Sequence, residues 1–430
     1  MANLDIGKAP KNAAVLPFYG TAAFFFVLLT VTLFCSADKL TGSFFNFHLL
    51  SIVHMAVLGW GTMLIFGAGY QLLPVICEKE LFSEKLAFYS YLFLTAGTIL
   101  LSGAFWRAAK VSFPLFGLLG GFFIFIAAIL FFINVAKTTR ICKDYSVQKS
   151  FVLSAAFWLL FTTFVGLLLA TNLRYPFFSK NHLEILKLHA HAGLAGWFLQ
   201  LIIGISSKLV PMFLLGRSSK TRLLKITHFL VNAGLISLLV DGYFFGIHDR
   251  VLVYFGLVCA GIIFWLIYLR DVYRNRIKRP LDPTIQFTGL SFIHLVFALS
   301  CIPILILLAD SARWSMIYGV LAILGWITAI ALGMTFKTLP FIVWNGHYKK
   351  LNGKGKIPMP RHLYKEKLLR YQWLLYIAAI YLLLIGLLLG QLLLIQAALV
   401  LWILTGLAYS INVLIILMHK TKIPHDNTSK

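Results

Sequence analysis

Twelve apolar runs, nearly all of about twenty residues or more, follow one another along this chain with little else between them. They cover approximately 14–36, 44–76, 83–104, 112–135, 150–171, 183–214, 222–245, 251–269, 284–309, 313–344, 371–390 and 392–418. A helix needs about 20 residues to cross roughly 30 Å of hydrocarbon. In lipid every backbone polar group must find its partner inside the segment, so runs of this kind become helices. The sequence therefore predicts an all-α polytopic membrane protein of about 12 transmembrane helices, forming a single integral membrane domain over 1–430. Only Gly390 and Gln391 divide the last two runs. A glycine turn there gives twelve spans and a continuous helix would give eleven.

Charge orients the spans. The 430 residues carry 38 Lys and Arg against 14 Asp and Glu, a formal net charge of +24. Such an excess can mark a nucleic-acid binder, but here the cations fall in short runs between apolar segments. That is the pattern of loops facing anionic lipid, so nucleic acid is not an expected partner and the lipid bilayer is. With the N-terminus inside, 28 of the Lys and Arg fall in inner segments and 8 in outer loops. The positive-inside rule then predicts cytoplasmic N and C termini in a bacterial cytoplasmic (inner) membrane. Cys35, Cys77, Cys142, Cys259 and Cys301 stand apart with no C-x-x-C pair, so neither a disulfide framework nor a thiolate zinc site is indicated.

The chain repeats itself. The second span reads Gly59-Trp60, Gly67, Gln71, Pro74; the sixth reads Gly196-Trp197, Gly204, Lys208, Pro211; the tenth reads Gly325-Trp326, Gly333, Lys337, Pro340. All three are G-W-x6-G-x3-[QK]-x2-P. Their separation gives three four-helix repeats, approximately 12–145, 146–280 and 281–420, expected to surround a pseudo-threefold axis. Gln71, Lys208 and Lys337 lie near span ends, where a long polar side chain can snorkel, and are not read as functional.

Histidine is the residue type that packing explains least. His54 and His191 each precede the Gly-Trp glycine by five residues and are repeat equivalents; the third copy has Val320 there and Tyr318 opposite His189. His189 and His191 point about 200° apart on a helix, so one helix can serve two compartments. An imidazole inside hydrocarbon is costly unless it is hydrogen-bonded or ligated, and neutral imidazole is a good ligand for haem iron and copper. His54, His189 and His191 are therefore candidate cofactor ligands, with His48 nearer the outer surface and His294 midway along the ninth span as candidate metal ligands. The alternative for each is a buried histidine satisfied by a carbonyl or a hydroxyl. Asp241 and His248 could serve proton or metal traffic or cap a loop. His228 lies too far in depth to join His54 or His191. His347, His362, His419 and His425 fall in basic segments and are expected to be solvated.

Twelve spans in three arcs, with histidines in the outer halves of the second and sixth, resemble the haem-copper oxidase subunit I superfamily. The likeness is closest to its divergent members, including the haem- and copper-containing nitric-oxide-response family. The topology covers the whole chain; the local likeness covers the second and sixth spans. The resemblance implies a cytochrome c oxidase subunit I-like fold and b-type haem, with copper as a second metal. It matches His54 to the second-helix haem ligand and His191 or His189 to the sixth-helix copper ligand. The tenth span carries no histidine and the seventh lacks the outer histidine pair, so standard oxygen reduction is not implied. A histidine pair moved to the sixth span would let His54 and one of His189 and His191 hold a haem. The implied role is respiratory redox chemistry or nitric oxide handling, oxidoreductase-like if enzymatic, with a cytochrome, quinol or other redox partner subunit. No C-x-x-C-H attachment site is present. Two further functions fit the same residues: a membrane transporter, or a cofactor or metal-insertion protein using the histidines as transient ligands.

Overall fold

A computed structural model of the chain describes residues 10–108, 113–142, 146–307, 311–351 and 357–421. Among them there is no strand, and twelve helices are long and apolar enough to cross a membrane. They are α1 (Asn12–Cys35), α2 (Phe47–Cys77), α3 (Glu84–Ala108), α4 (Leu115–Ile141), α5 (Val147–Arg174), α6 (His182–Leu214), α7 (Thr221–Phe245), α8 (Val251–Arg274), α9 (Pro283–Leu307), α10 (Ala312–Leu351), α11 (Glu366–Leu389) and α12 (Leu392–Leu417). The protein is a multi-pass helical membrane protein.

The turn between α11 and α12 forms as glycine allows. Gly390 has φ +65°, and a Cβ there would meet nothing within 4 Å, so the left-handed backbone rather than crowding selects glycine. The Gln391 amide donates to the Gly386 carbonyl at 2.9 Å, closing the end of α11 as a glycine-capped helix closes.

The helices that carry the Gly-Trp motif are the most buried. Of the most apolar stretch of each helix, 72% is buried in α2, 67% in α6 and 72% in α10, against 50% or less in the other nine. Each motif also carries a local change of helix type. Met55–Thr62, Ala192–Leu199 and Val320–Ile327 are π-helical, with the hydrogen-bond ladder widened to i→i+5. In α2 and α6 the widening begins at the residue after His54 and after His191.

The chain divides into two compact units. Unit 1 comprises Met1–Gln71, Asp282–Cys301 and Asp310–Lys430, and so holds α1, most of α2 and of α9, and α10 to α12. Its core is aromatic: Trp60 stacks on Phe26 with centroids 4.2 Å apart and planes at 18°, and Tyr409 stands edge-on to both rings. Unit 2 comprises Leu72–Leu281 and Ile302–Ala309 and so holds α3 to α8. There Trp197 is buried edge-on against Phe131, centroids 5.6 Å apart.

The motif glycines explain how tightly neighbouring helices meet. A Cβ on Gly59 would stand 2.6 Å from the Phe25 ring, one on Gly196 2.6 Å from Trp158, and one on Gly325 3.0 Å from His294. The second glycine of each motif does the same seven residues earlier on the partner helix: Gly67 on Phe18, Gly204 on Phe151, Gly333 on Phe287. Only a bare backbone admits these rings, which is why the motif keeps glycine at both positions.

Candidate imidazole sites

In unit 1, α2 begins under an Asn46 cap whose side chain accepts the His48 amide at 2.9 Å. The α-helix then runs through His54, where the π-helical segment starts. The half-buried His54 ring places Nδ1 2.7 Å from the Leu50 carbonyl oxygen. A carbonyl only accepts, so Nδ1 is the protonated nitrogen; in the neutral ring Nε2 is then the lone-pair nitrogen. This tautomer is assigned from the hydrogen bond.

His191 in unit 2 repeats the arrangement. Its Nδ1 lies 2.8 Å from the Lys187 carbonyl, again four residues back and again at the last α-helical residue before a π-helical segment. Asn181 caps the start of α6 by accepting the Leu183 amide at 2.9 Å. Two equivalent positions thus hold the same residue type, anchor and tautomer. A neutral imidazole held in this way is in the form that ligates a metal, because its anchored N–H fixes the ring and raises the basicity of the other nitrogen.

The remaining candidates separate from this pair. His189 sits in a notch over α5, its Cε1 2.9 Å from where a Cβ on Gly166 would stand. His48 lies in the first turn of α2, about 240° around the helix from His54, so the two cannot share one ion on one face. His294 is fully buried, its ring over Gly325 and its Nδ1 3.2 Å from the Tyr376 hydroxyl. That hydroxyl donates to the Gly325 carbonyl at 2.9 Å. With the tyrosine proton so committed, His294 Nδ1–H is the donor to Tyr376 Oη. His294 therefore stands where the other two repeats hold Phe25 and Trp158. The spacing announced it: Phe18/Phe25, Phe151/Trp158 and Phe287/His294 are all seven apart.

Other polar residues are engaged in structure. Asp241 is buried and pairs with Arg250, Oδ1 to Nη1 3.0 Å. His248 Nε2 lies 2.5 Å from the Phe245 carbonyl. Lys337, expected to snorkel, instead forms an ion pair with Asp282 just before α9. His347 and His419 stack edge-on with centroids 5.6 Å apart, the first bonded to Thr421 Oγ1 at 2.8 Å and the second to the Tyr348 hydroxyl at 2.9 Å. His425 lies outside the described residues.

One cluster escaped the sequence reading. In unit 2, Asn232 of α7 accepts three donors on its side-chain oxygen: Trp158 Nε1 at 2.8 Å, Gln200 Nε2 at 3.0 Å and Ser154 Oγ at 3.1 Å. Its nitrogen donates to the His228 carbonyl at 2.8 Å and to Gln200 Oε1 at 3.2 Å. A lone asparagine in an apolar run was its only signal.

Among the described residues no group of three or more His, Cys, Asp or Glu side chains converges as a metal ion would require. A three-histidine copper centre is therefore not built within them; His54 and His191 each stand as a single imidazole anchored through Nδ1. No protein-family model matches the sequence, and no curated protein matches it.

Proposed function

We propose that this protein binds haem in a bacterial cytoplasmic membrane, with His54 in unit 1 and His191 in unit 2 as the residues that would ligate it, and takes part in respiratory redox chemistry or nitric oxide handling. One observation carries the reading: equivalent histidines, 137 residues apart, both commit Nδ1–H to the i−4 carbonyl just before a π-helical turn. A histidine needed only for packing has no reason to take the same tautomer at the same helix irregularity twice. π-Helical turns concentrate at functional sites because the extra residue re-aims neighbouring side chains.

Haem would supply one-electron chemistry and an iron able to meet a diatomic ligand. The protein's part is to hold each imidazole neutral, oriented and shielded by lipid. The three Gly-Trp copies fit three consecutive oxidase-like four-helix repeats of which the first two kept their ligand histidine. The excess of 28 inner over 8 outer cations supports cytoplasmic termini.

The test is a reduced-minus-oxidised optical spectrum of the detergent-purified protein, with iron and copper analysis in parallel. We expect a b-type haem spectrum that His54→Ala and His191→Ala each diminish at least tenfold or shift, and that His48→Ala leaves intact. A folded, colourless, iron-free wild type overturns the reading.

A further inference from the structure

Several buried polar side chains of the third repeat carry atoms without a hydrogen-bond partner among the described residues. In unit 1, Gln372 of α11 is fully buried, and neither its amide oxygen nor its nitrogen has a hydrogen-bond partner among the described residues. The same holds for Ser291 Oγ and His294 Nε2 on α9, both residues fully buried.

These atoms belong to one neighbourhood. Ser291 and His294 are three apart on α9, and Gln372 and Tyr376 four apart on α11, so each pair shares a helix face. The two faces meet: Tyr376 Oη lies 3.2 Å from His294 Nδ1, and the Phe287 ring packs 4.6 Å from Trp373 and 5.8 Å from Tyr376. Helices two spans apart cross the membrane in the same direction. The Phe287 ring sits by Trp373 and Tyr376, and His294 by Tyr376 and Tyr381, so Gln372 lies on the Phe287 side of this contact and Ser291 between Phe287 and His294.

We infer that Ser291, His294 and Gln372 bind ordered water inside unit 1. An amide sealed in an apolar interior is costly unless every polar atom is paired, and in a membrane protein bulk solvent cannot reach in to pair it. Asn232 shows what a fully paired amide looks like in this fold, with both its oxygen and its nitrogen engaged by protein groups. The cluster's chemistry selects the ligand. It offers a primary amide, which both donates and accepts, a hydroxyl, which does either, and an imidazole lone pair. It holds no charged group, which argues against an ion, and four unmatched polar atoms argue against an apolar guest. Water donates twice and accepts twice, and a buried site with two to four polar partners is where it is retained.

Radiolytic hydroxyl labelling in 18O-enriched water tests this on the detergent-solubilised protein, because a bound water becomes a radical where it sits. Tyr376 and Tyr409 are both fully buried, but Tyr409 hydrogen-bonds Thr335 away from the cluster and serves as the internal control. We expect Tyr376 to label at least tenfold faster than Tyr409. Labelling of Tyr376 no faster than Tyr409 overturns the proposal, and this comparison needs only the wild type. Gln372→Leu, which keeps the volume, is expected to lower Tm and slow Tyr376 labelling at least threefold. A rise in Tm, the response of a dry unpaired amide, also overturns it.

Discussion

The second and third repeats build the same cradle and fill it differently. In unit 2, Trp158 lies on Gly196 and sends its N–H to Asn232, whose side chain also engages Ser154 and Gln200. In unit 1, His294 lies on Gly325 and meets Tyr376, whose hydroxyl is already given to a carbonyl of the π-helical segment. The backbone device is common to both; the polar closure is not. A motif of two glycines and a tryptophan sets how close helices come, while single residues on the following helix decide whether the space between them is dry and saturated or polar and open to a ligand.

The largest effect is expected at the saturated side. Asn232→Leu removes the acceptor of three donors at once and leaves Trp158 Nε1 and Gln200 unpaired. Each unpaired buried group costs roughly 1–3 kcal/mol, so a loss of about 3–5 kcal/mol follows, read as a marked fall in Tm in detergent. A change of under about 1 kcal/mol would break the comparison, because it would mean that the network is decorative.

The cradle itself gives the next effect. Gly196→Ala drives a methyl to 2.6 Å from the rigid Trp158 ring and Gly325→Ala to 3.0 Å from the smaller His294. Overpacking of a tight core costs typically about 1–3 kcal/mol. Gly196→Ala is expected near the top of that range and Gly325→Ala near the bottom. Equal losses would show that the two cradles are filled to the same tightness, against the geometry.

Much of this was legible in the residues, for identifiable reasons. The spans follow from hydropathy because lipid admits only helices for such runs, and the ends agree within a few residues except where helices run on past the apolar stretch. Hydropathy ends the tenth span at 344 while α10 runs to Leu351, since a helix has no reason to stop at the hydrocarbon boundary. The glycine and tryptophan repeat was legible because it recurs with fixed spacing. The π-helical turns were not, because an extra residue per turn leaves the same apolar run and the same motif. The role of His294 in the cradle was written in the seven-residue spacing of Phe287 and His294, which is visible once Gly325 and Gly333 are known to be the floor beneath them. The tautomers of His54 and His191 depend on a carbonyl four residues back, which sequence does not orient. Asn232 was missed because one polar residue in an apolar run looks the same whether or not three donors converge on it.

The smallest effect lies where unit 1 ties α2 to α10. Trp60 Nε1 donates to Thr328 Oγ1 at 3.2 Å, and that hydroxyl donates onward to the Ile323 carbonyl, five residues back in the π-helical turn, at 2.9 Å. The residue at the same distance from the tryptophan in the second repeat is Leu199, which has no hydroxyl to offer. Thr328→Val keeps the shape and removes both bonds, yet Trp60 stays stacked on Phe26 and edge-on to Tyr409, so its packing survives. The net loss is therefore expected near 1 kcal/mol, the cost of one indole N–H left unpaired. Thr328→Ser is expected to recover most of it, because the serine hydroxyl can occupy the same position. Tryptophan fluorescence during thermal unfolding follows both variants. Should Thr328→Val cost as much as Asn232→Leu, polar closure would matter equally in the two units, and the contrast between the saturated Asn232 cluster and the open one at His294 would fail.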